Sequence, residues 1–201
     1  MKEQLLDLVA DASPVLATNL SREYLHARIL LAIQETGAMI PLAFQRGTAL
    51  RFLYDLPRYS EDLDFALERP ERNSFDLAGT ERKIVSRLEA EGYEVVTRAR
   101  GQRAVQSLMI GFPGLLHQAG LAAGPSQRLN IRIEVDTNPP AGAGLETSVI
   151  RRHALLNIQH HDRPSLLAGK LHAILQRPWP KGRDLFDLFW YLSDRRWPEP
   201  N

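Results

Sequence analysis

The chain contains no cysteine. Disulfides, thiol nucleophiles and cysteine-ligated zinc or iron–sulfur centres are therefore excluded, and any metal chemistry must use oxygen or histidine ligands. Charge of one sign is not in excess either. The 25 basic residues face 24 acidic ones, so no global basic field drives non-specific nucleic-acid binding and any such contact must be local. Long apolar runs are missing: none approaches the roughly 18 residues of a membrane span, and the opening MKEQLLDLVADASP lacks the apolar stretch of a secretory signal. Both absences predict a cytoplasmic chain without a membrane partner. No repeat of fixed period and no low-complexity stretch occurs, which removes solenoids and linkers. Lysine is scarce. Lys2, Lys83, Lys170 and Lys181 stand against an otherwise arginine-based set of cations, and a compact ammonium does different work from a planar guanidinium.

What is present is an average globular composition, 44% hydrophobic and 24% charged, which excludes a disordered or fibrous chain and permits a packed core. At 201 residues the expectation is one bilobed unit, 1–201, divided in the proline- and glycine-rich stretch 139–144. Ser21 reads as the cap of a helix to about Thr36, with Leu25, Ile29, Leu30 and Ile33 on one face. Pro41 to Phe44 reads as a strand that stops at Gly47, and Thr48 opens a helix carrying Ala49, Leu50 and Leu53. Asp62 to Leu67 reads as a strand, Thr80 to Glu91 as an amphipathic helix closed by Gly92, and Glu94 to Thr97 and Ala104 to Ile110 as further strands. From Arg128 to Asp136 the alternation is strict, with Leu129, Ile131, Ile133 and Val135 on one face and Asn130, Arg132, Glu134 and Asp136 on the other. A short strand at 155–158 and helices Pro164–Gln176 and Arg183–Ser193 follow. The class is α+β: a mixed-sheet lobe with flanking helices over 1–140, and a mainly helical lobe over 141–201.

Four features carry chemistry. In Ser60-Glu61-Asp62-Leu63-Asp64-Phe65, a strand puts Asp62 and Asp64 on one face, about 6.5 to 7 Å apart along the chain. Like charges so placed resist ionising unless a cation joins them, which suits Mg²⁺ or Mn²⁺. Gly47-Thr48, between a strand and a helix, has the form of an anion-holding turn, in which backbone N–H groups and the hydroxyl donate. Glu134 or Asp136, on the wet face of the regular strand, offers a third oxygen ligand; Glu134 is the more central. Lys170 lies on the same helical stripe as Leu167, Leu171 and Ile174, so its ammonium is aimed inward and needs a carboxylate or a phosphate. Asp184 and Asp187 at the start of the last helix are candidates for that carboxylate. The ordinary alternatives are a solvated acidic strand face, a plain helix cap, and a structural ion pair. Arg98, Arg100 and Arg103, and Arg151, Arg152 and His153, form local basic clusters, and His160-His161 reads as a surface pair rather than a metal site.

The blocks Gly47-Thr48-Ala49-Leu50-Arg51 and Pro57 to Phe65, followed by Lys170 and Arg183-Asp184-Leu185-Phe186-Asp187, resemble the AbiEii/AbiGii nucleotidyltransferase toxins, including their MenT-type members. The resemblance implies a DNA polymerase beta-like nucleotidyltransferase fold and a toxin of a toxin–antitoxin system. It further implies transfer from an NTP to an RNA acceptor, a tRNA 3′ end in some MenT-type members, and a cognate antitoxin as partner. By position it assigns Gly47 and Thr48 to the nucleotide turn and Asp62 and Asp64 to the metal; Arg51 and Ser60 are expected as further nucleotide contacts, with Arg58 assisting. Lys170 falls to the triphosphate, and Asp184 or Asp187 to the last essential acid. One departure stands out: Arg46 occupies a position where the family commonly has glycine. It either crowds the phosphate turn or adds a phosphate contact.

The expected mechanism is two-metal nucleotidyl transfer, in which Asp62 and Asp64, with Glu134, hold two Mg²⁺ ions about 3.5 to 4 Å apart. The rivals are a small-molecule nucleotidyltransferase of the antibiotic-modifying kind, which labels its substrate without RNA, and a non-catalytic protein whose acids bridge to a basic partner.

Overall fold

A computed structural model describes residues 1–68, 75–100, 104–193 and 200. Arg103, one member of the first basic cluster, lies outside them. In chain order the elements are α1 (Lys2–Val9), α2 (Pro14–Glu35), β1 (Leu42–Gln45), α3 (Arg46–Tyr54), β2 (Asp62–Leu67), α4 (Leu77–Ala90), β3 (Val96–Arg100) and β4 (Val105–Phe112). They continue with α5 (Leu115–Gln118), β5 (Leu129–Asp136), β6 (Leu145–Arg152), β7 (Ala154–His161), α6 (Arg163–Gln176) and α7 (Gly182–Ser193).

The strands form one mixed sheet in the order β3-β4-β5-β2-β1-β7-β6. At its centre β2 runs antiparallel to β1 and parallel to β5. Alternation sets what each face carries. Leu63 and Phe65 of β2 and Ile131, Ile133 and Val135 of β5 enter the core, so Asp62, Asp64, Arg132 and Glu134 share the opposite face. The core side is closed by rings: Phe44 lies 5.3 Å from Phe65 and 6.3 Å from Phe52, centroid to centroid, and α2 packs on β7 and α4.

The long helix α2 starts at Pro14, with Ser13 as its cap, seven residues before Ser21. Proline at the first helical turn forfeits no hydrogen bond, and Ser21 is a buried interior residue. Helix α4 likewise begins earlier than Thr80, after Asp76, and ends as expected at Gly92, whose φ of 91° permits the left-handed turn.

The sheet continues across the position at which the sequence was divided. Residues 139–144 connect β5 to β6, and β7 pairs with β1 in parallel. Among the described residues, the segment 141–201 holds two strands and two helices, and its strands belong to the same sheet as the first 140 residues. Strand β6 has no clear signature in the sequence because it is an edge strand that mixes residue types on both faces: Leu145 and Val149 face solvent, while Ser148, Ile150 and Arg152 turn partly inward.

Candidate active site

Three elements bring the acids together. In the parallel register of β2 and β5, Asp62 lies opposite Arg132 and Asp64 opposite Glu134. Asp136 sits opposite Ala66, and its Oδ1 accepts from the backbone N–H of Asn138 at 3.0 Å, which ties it to the following turn. Of the two candidates for a third acid, Glu134 is the one beside Asp64. Burial pushes the Asp64 carboxyl up to about 6; Arg46 opposes that shift, and the neighbouring Glu134 and Asp62 add to it. Asp62 is also raised, by burial first and then by Glu134 and Glu61, with Arg132 and Arg183 opposing.

The turn from β1 into α3 sits against this wall. Gln45 is extended, and Arg46 then adopts φ 63°, a left-handed conformation that costs a side-chain-bearing residue roughly 1 to 2 kcal/mol. At Gly47 a Cβ would stand 2.8 Å from Arg58 Nη2 and 3.3 Å from Ser60 Oγ. Glycine is required there because those two side chains already fill the space. Thr48 is fully buried, and its hydroxyl donates to the backbone carbonyl of Asp62, so it locks the turn to the first residue of β2 instead of pointing at a ligand. The Arg46 guanidinium donates to Asp64 Oδ1 at 2.8 Å and to Glu134 Oε2 at 3.3 Å.

Across the cavity, α6 and α7 build a cationic wall. Helix α6 is capped by Asp162, whose side chain accepts from Ser165 N at 2.9 Å. It buries Leu166, Leu167 and Lys170. The Lys170 ammonium lies 3.0 Å from Asp184 Oδ1 and 2.7 Å from Asp187 Oδ2. Asp187, 0% exposed, also receives a two-pronged contact from Arg58, with Nε and Nη2 each 2.6 Å from its oxygens. Asp184 receives Arg177 as well. Burial pushes the Asp184 carboxyl up, but Lys170, Arg177 and Arg183 outweigh it and hold the group below its ordinary range. Two buried acids thus hold Lys170 and Arg58 at fixed positions, the arrangement that keeps buried charges tolerable.

Between the two walls is a cavity of about 430 Å³, lined by Arg46, Gly47, Arg58, Ser60, Asp62, Asp64, Arg132 and Glu134 on the sheet side. Lys170, Arg177, Lys181, Arg183 and Asp184 line the helical side. That volume is in the range of small-ligand sites, and its cations outnumber its acids, which suits a polyanion. The chemistry of Asp62, Asp64 and Glu134, hard oxygen donors on one face, fits Mg²⁺ or Mn²⁺. As folded, however, Arg46 supplies the positive charge between Asp64 and Glu134, and among the described residues no three acids or imidazoles are gathered into a ready ligand cage.

Residues 28–201 match the family described as the nucleotidyl transferase AbiEii toxin of type IV toxin–antitoxin systems. The chain belongs to this family. No curated protein matches it. Among solved structures, JHP933 from Helicobacter pylori aligns with a TM-score of 0.56 at 20% identity, covering 87% of this chain and 66% of that one. A candidate nucleotidyltransferase from H. pylori aligns at 0.53 and 19% identity, covering 85% and 68%. The chain spans about two thirds of the length of these two structures, and at such identities the likeness concerns the fold.

Within this AbiEii member, the structure brings Gly47, Ser60, Asp62, Asp64, Glu134, Lys170 and Asp184 to one cavity. Asp187 lies behind that wall, in contact with Lys170 and Arg58. Arg51 is elsewhere. It pairs with Glu23 at 2.5 Å, donates to the Leu56 carbonyl at 2.9 Å and stacks on Tyr59, so the expected nucleotide contact is replaced by a structural one.

The histidine pair is not on the surface. His160 is buried with Nε2 2.9 Å from Ser148 Oγ, and His161 is buried 3.1 Å from Glu68. Arg98 and Arg100 lie on the exposed edge strand β3, whereas Arg151 lies on β6 at the other edge and Arg152 is engaged with Glu23 and Asp55. The two basic clusters therefore do not form one surface. Arg132, Arg177, Lys181 and Arg183 were missed as cavity residues. Arg132 was legible, since it shares the alternation of Glu134; the other three belong to a loop and helix start whose position only the fold supplies.

Proposed function

We propose that the chain is a nucleotidyltransferase toxin that moves a nucleotide from an NTP to an RNA acceptor, a tRNA 3′ end, and that a cognate antitoxin counters it. One observation carries this reading: the acid pair of β2 with Glu134 faces Lys170 and a rim of arginines across a cavity of about 430 Å³, as transfer from a triphosphate requires. Asp62, Asp64 and Glu134 would hold Mg²⁺ or Mn²⁺, which when bound supplies charge neutralisation at the triphosphate and activation of the acceptor hydroxyl.

The chain's own residues do the positioning. Gly47, having no Cβ, lets Ser60 Oγ and the Arg58 guanidinium close on the turn, where they meet phosphate oxygens. Lys170, held by Asp184 and Asp187, offsets negative charge on the triphosphate. Arg132, Lys181 and Arg183, toward solvent on the rim, meet the backbone of the acceptor. Catalysis here is largely orientation and fixed charge, the usual case in phosphoryl and nucleotidyl chemistry.

The test is incubation of pure protein with each of four α-labelled NTPs, Mg²⁺ and total RNA. Label in the tRNA band, lost with Asp62→Ala, is the expected result. Label on a small molecule in a cell extract and none on RNA would move the assignment to small-molecule modification. Label nowhere, with a basic protein partner whose binding ignores NTP, would leave only a binding role.

A further inference from the structure

Arg46 is the first residue of α3, at the turn out of β1, and the fold gives its side chain a definite location. Its backbone adopts φ 63°, a conformation suited to glycine, yet it carries a long cationic side chain. That side chain does not lie over the phosphate turn. It reaches across to the sheet and bonds Asp64 and Glu134, the two acids that sit side by side in register. A divalent ion needs the same oxygen lone pairs, and a guanidinium that holds them is a direct competitor. The side chain is 49% exposed, so it can leave without unpacking the core. Lys170, Arg58 and Arg177, by contrast, are each held by Asp184 or Asp187 of α7.

The geometry points to Arg46 as a resident counter-cation of the metal subsite. Departure of the Arg46 guanidinium would free Asp64 Oδ1 and Glu134 Oε2 for a divalent ion, Glu134 Oε1 staying with Arg132 at 3.3 Å, and the side chain would then turn from the position before Gly47 to the triphosphate. This rests on the nucleotidyl-transfer reading of the site. It makes metal binding weak in the absence of nucleotide and couples the two ligands, because the phosphates accept the cation that the metal evicts.

The experiment is titration of the full chain with Mn²⁺ alone, followed by calorimetry and by electron paramagnetic resonance, for the wild type, Arg46→Gly and Arg46→Ala. Glycine suits the left-handed backbone, and alanine separates loss of the side chain from relief of the backbone; thermal melts confirm that each variant is folded. Both variants are expected to bind Mn²⁺ roughly 10- to 100-fold more tightly than the wild type, the range expected for removal of a charged hydrogen-bonded competitor. A non-reacting NTP analogue should tighten Mn²⁺ binding more in the wild type than in either variant. Equal, measurable Mn²⁺ affinity in all three proteins overturns the role of Arg46 and leaves the site reading standing. Absence of Mn²⁺ binding in all three, with or without the analogue, overturns the metal site itself and the proposal with it.

Discussion

Asp64 and Glu134 are cross-strand partners in the parallel pair β2–β5 and share a single guanidinium, that of Arg46. The acids of this site thus already carry a positive charge at their centre, while Asp62, two residues before Asp64, has no such contact and answers to Arg132 and Arg183 at longer range.

Asp62→Ala should therefore separate chemistry from folding. Its side chain is half-buried and makes no hydrogen bond of its own among the described contacts. Label transfer should fall by about a thousandfold or more, with an unfolding free energy within about 0.5 kcal/mol of the wild type. Label transfer and urea denaturation on the same preparation check both; transfer at the wild-type rate would refute the assignment.

Arg51→Ala should do the opposite. Its guanidinium joins α3 to Glu23 of α2 and to the Leu56 carbonyl, away from the cavity. The expected cost is about 2 kcal/mol or more in stability, with the KM for NTP unchanged in the folded fraction. A selective rise in KM would place Arg51 back at the nucleotide.

Arg58 and Asp187 form a two-pronged contact with both bonds at 2.6 Å. Removing Asp187 alone leaves Arg58 without its buried counter-charge and Lys170 with Asp184 only, so Asp187→Ala should cost about 3 to 5 kcal/mol. In a double-mutant cycle with Arg58→Ala the two losses should fall short of adding, by about 1 to 3 kcal/mol. Simple additivity would show that the pair is not a unit.

The acid limb of stability should show two windows. Burial keeps His26 neutral and lowers it from 6.5 to about 4; the unfolded chain takes up that proton first, so His26 subtracts stability as pH drops from about 6.5 to 4, while Asp64, raised by burial to about 6, adds stability as pH falls below 6 and offsets part of that loss. For Glu23, burial acts upward, but His153, Arg51 and Arg152 prevail and lower it from 4.5 to about 2. Its contribution, about 3 kcal/mol when fully expressed, is present above pH 4.5 and lost as pH falls toward 2. Urea melts at a series of pH values should show Glu23→Gln flattening the lower window only. Loss of the upper window in that variant would contradict the assignment.

Much of the site was legible from local pattern. The alternation in β2 and β5 put Asp62 with Asp64 and Glu134 with Arg132 on polar faces, because a strand repeats every two residues whatever surrounds it. The stripe of α6 placed Lys170 inward for the corresponding helical reason. Edge strand β6 and the buried His160 and His161 were not legible. Their environments are made by strands and side chains far away in sequence, and an edge strand need not alternate in the usual sense.

By itself, then, the amino-acid sequence determined which residue types could do chemistry and which local face each would occupy, since backbone periodicity is a short-range property. Tertiary structure alone decided the partnerships: that Glu134 and not Asp136 meets Asp64, that Lys170 is held by Asp184 and Asp187, that Arg51 serves α2, and that Arg46 reaches the acids. The physical reason is that these are choices among charges of similar kind, settled by strand register and helix packing that bring together residues as far apart as Arg46 and Glu134.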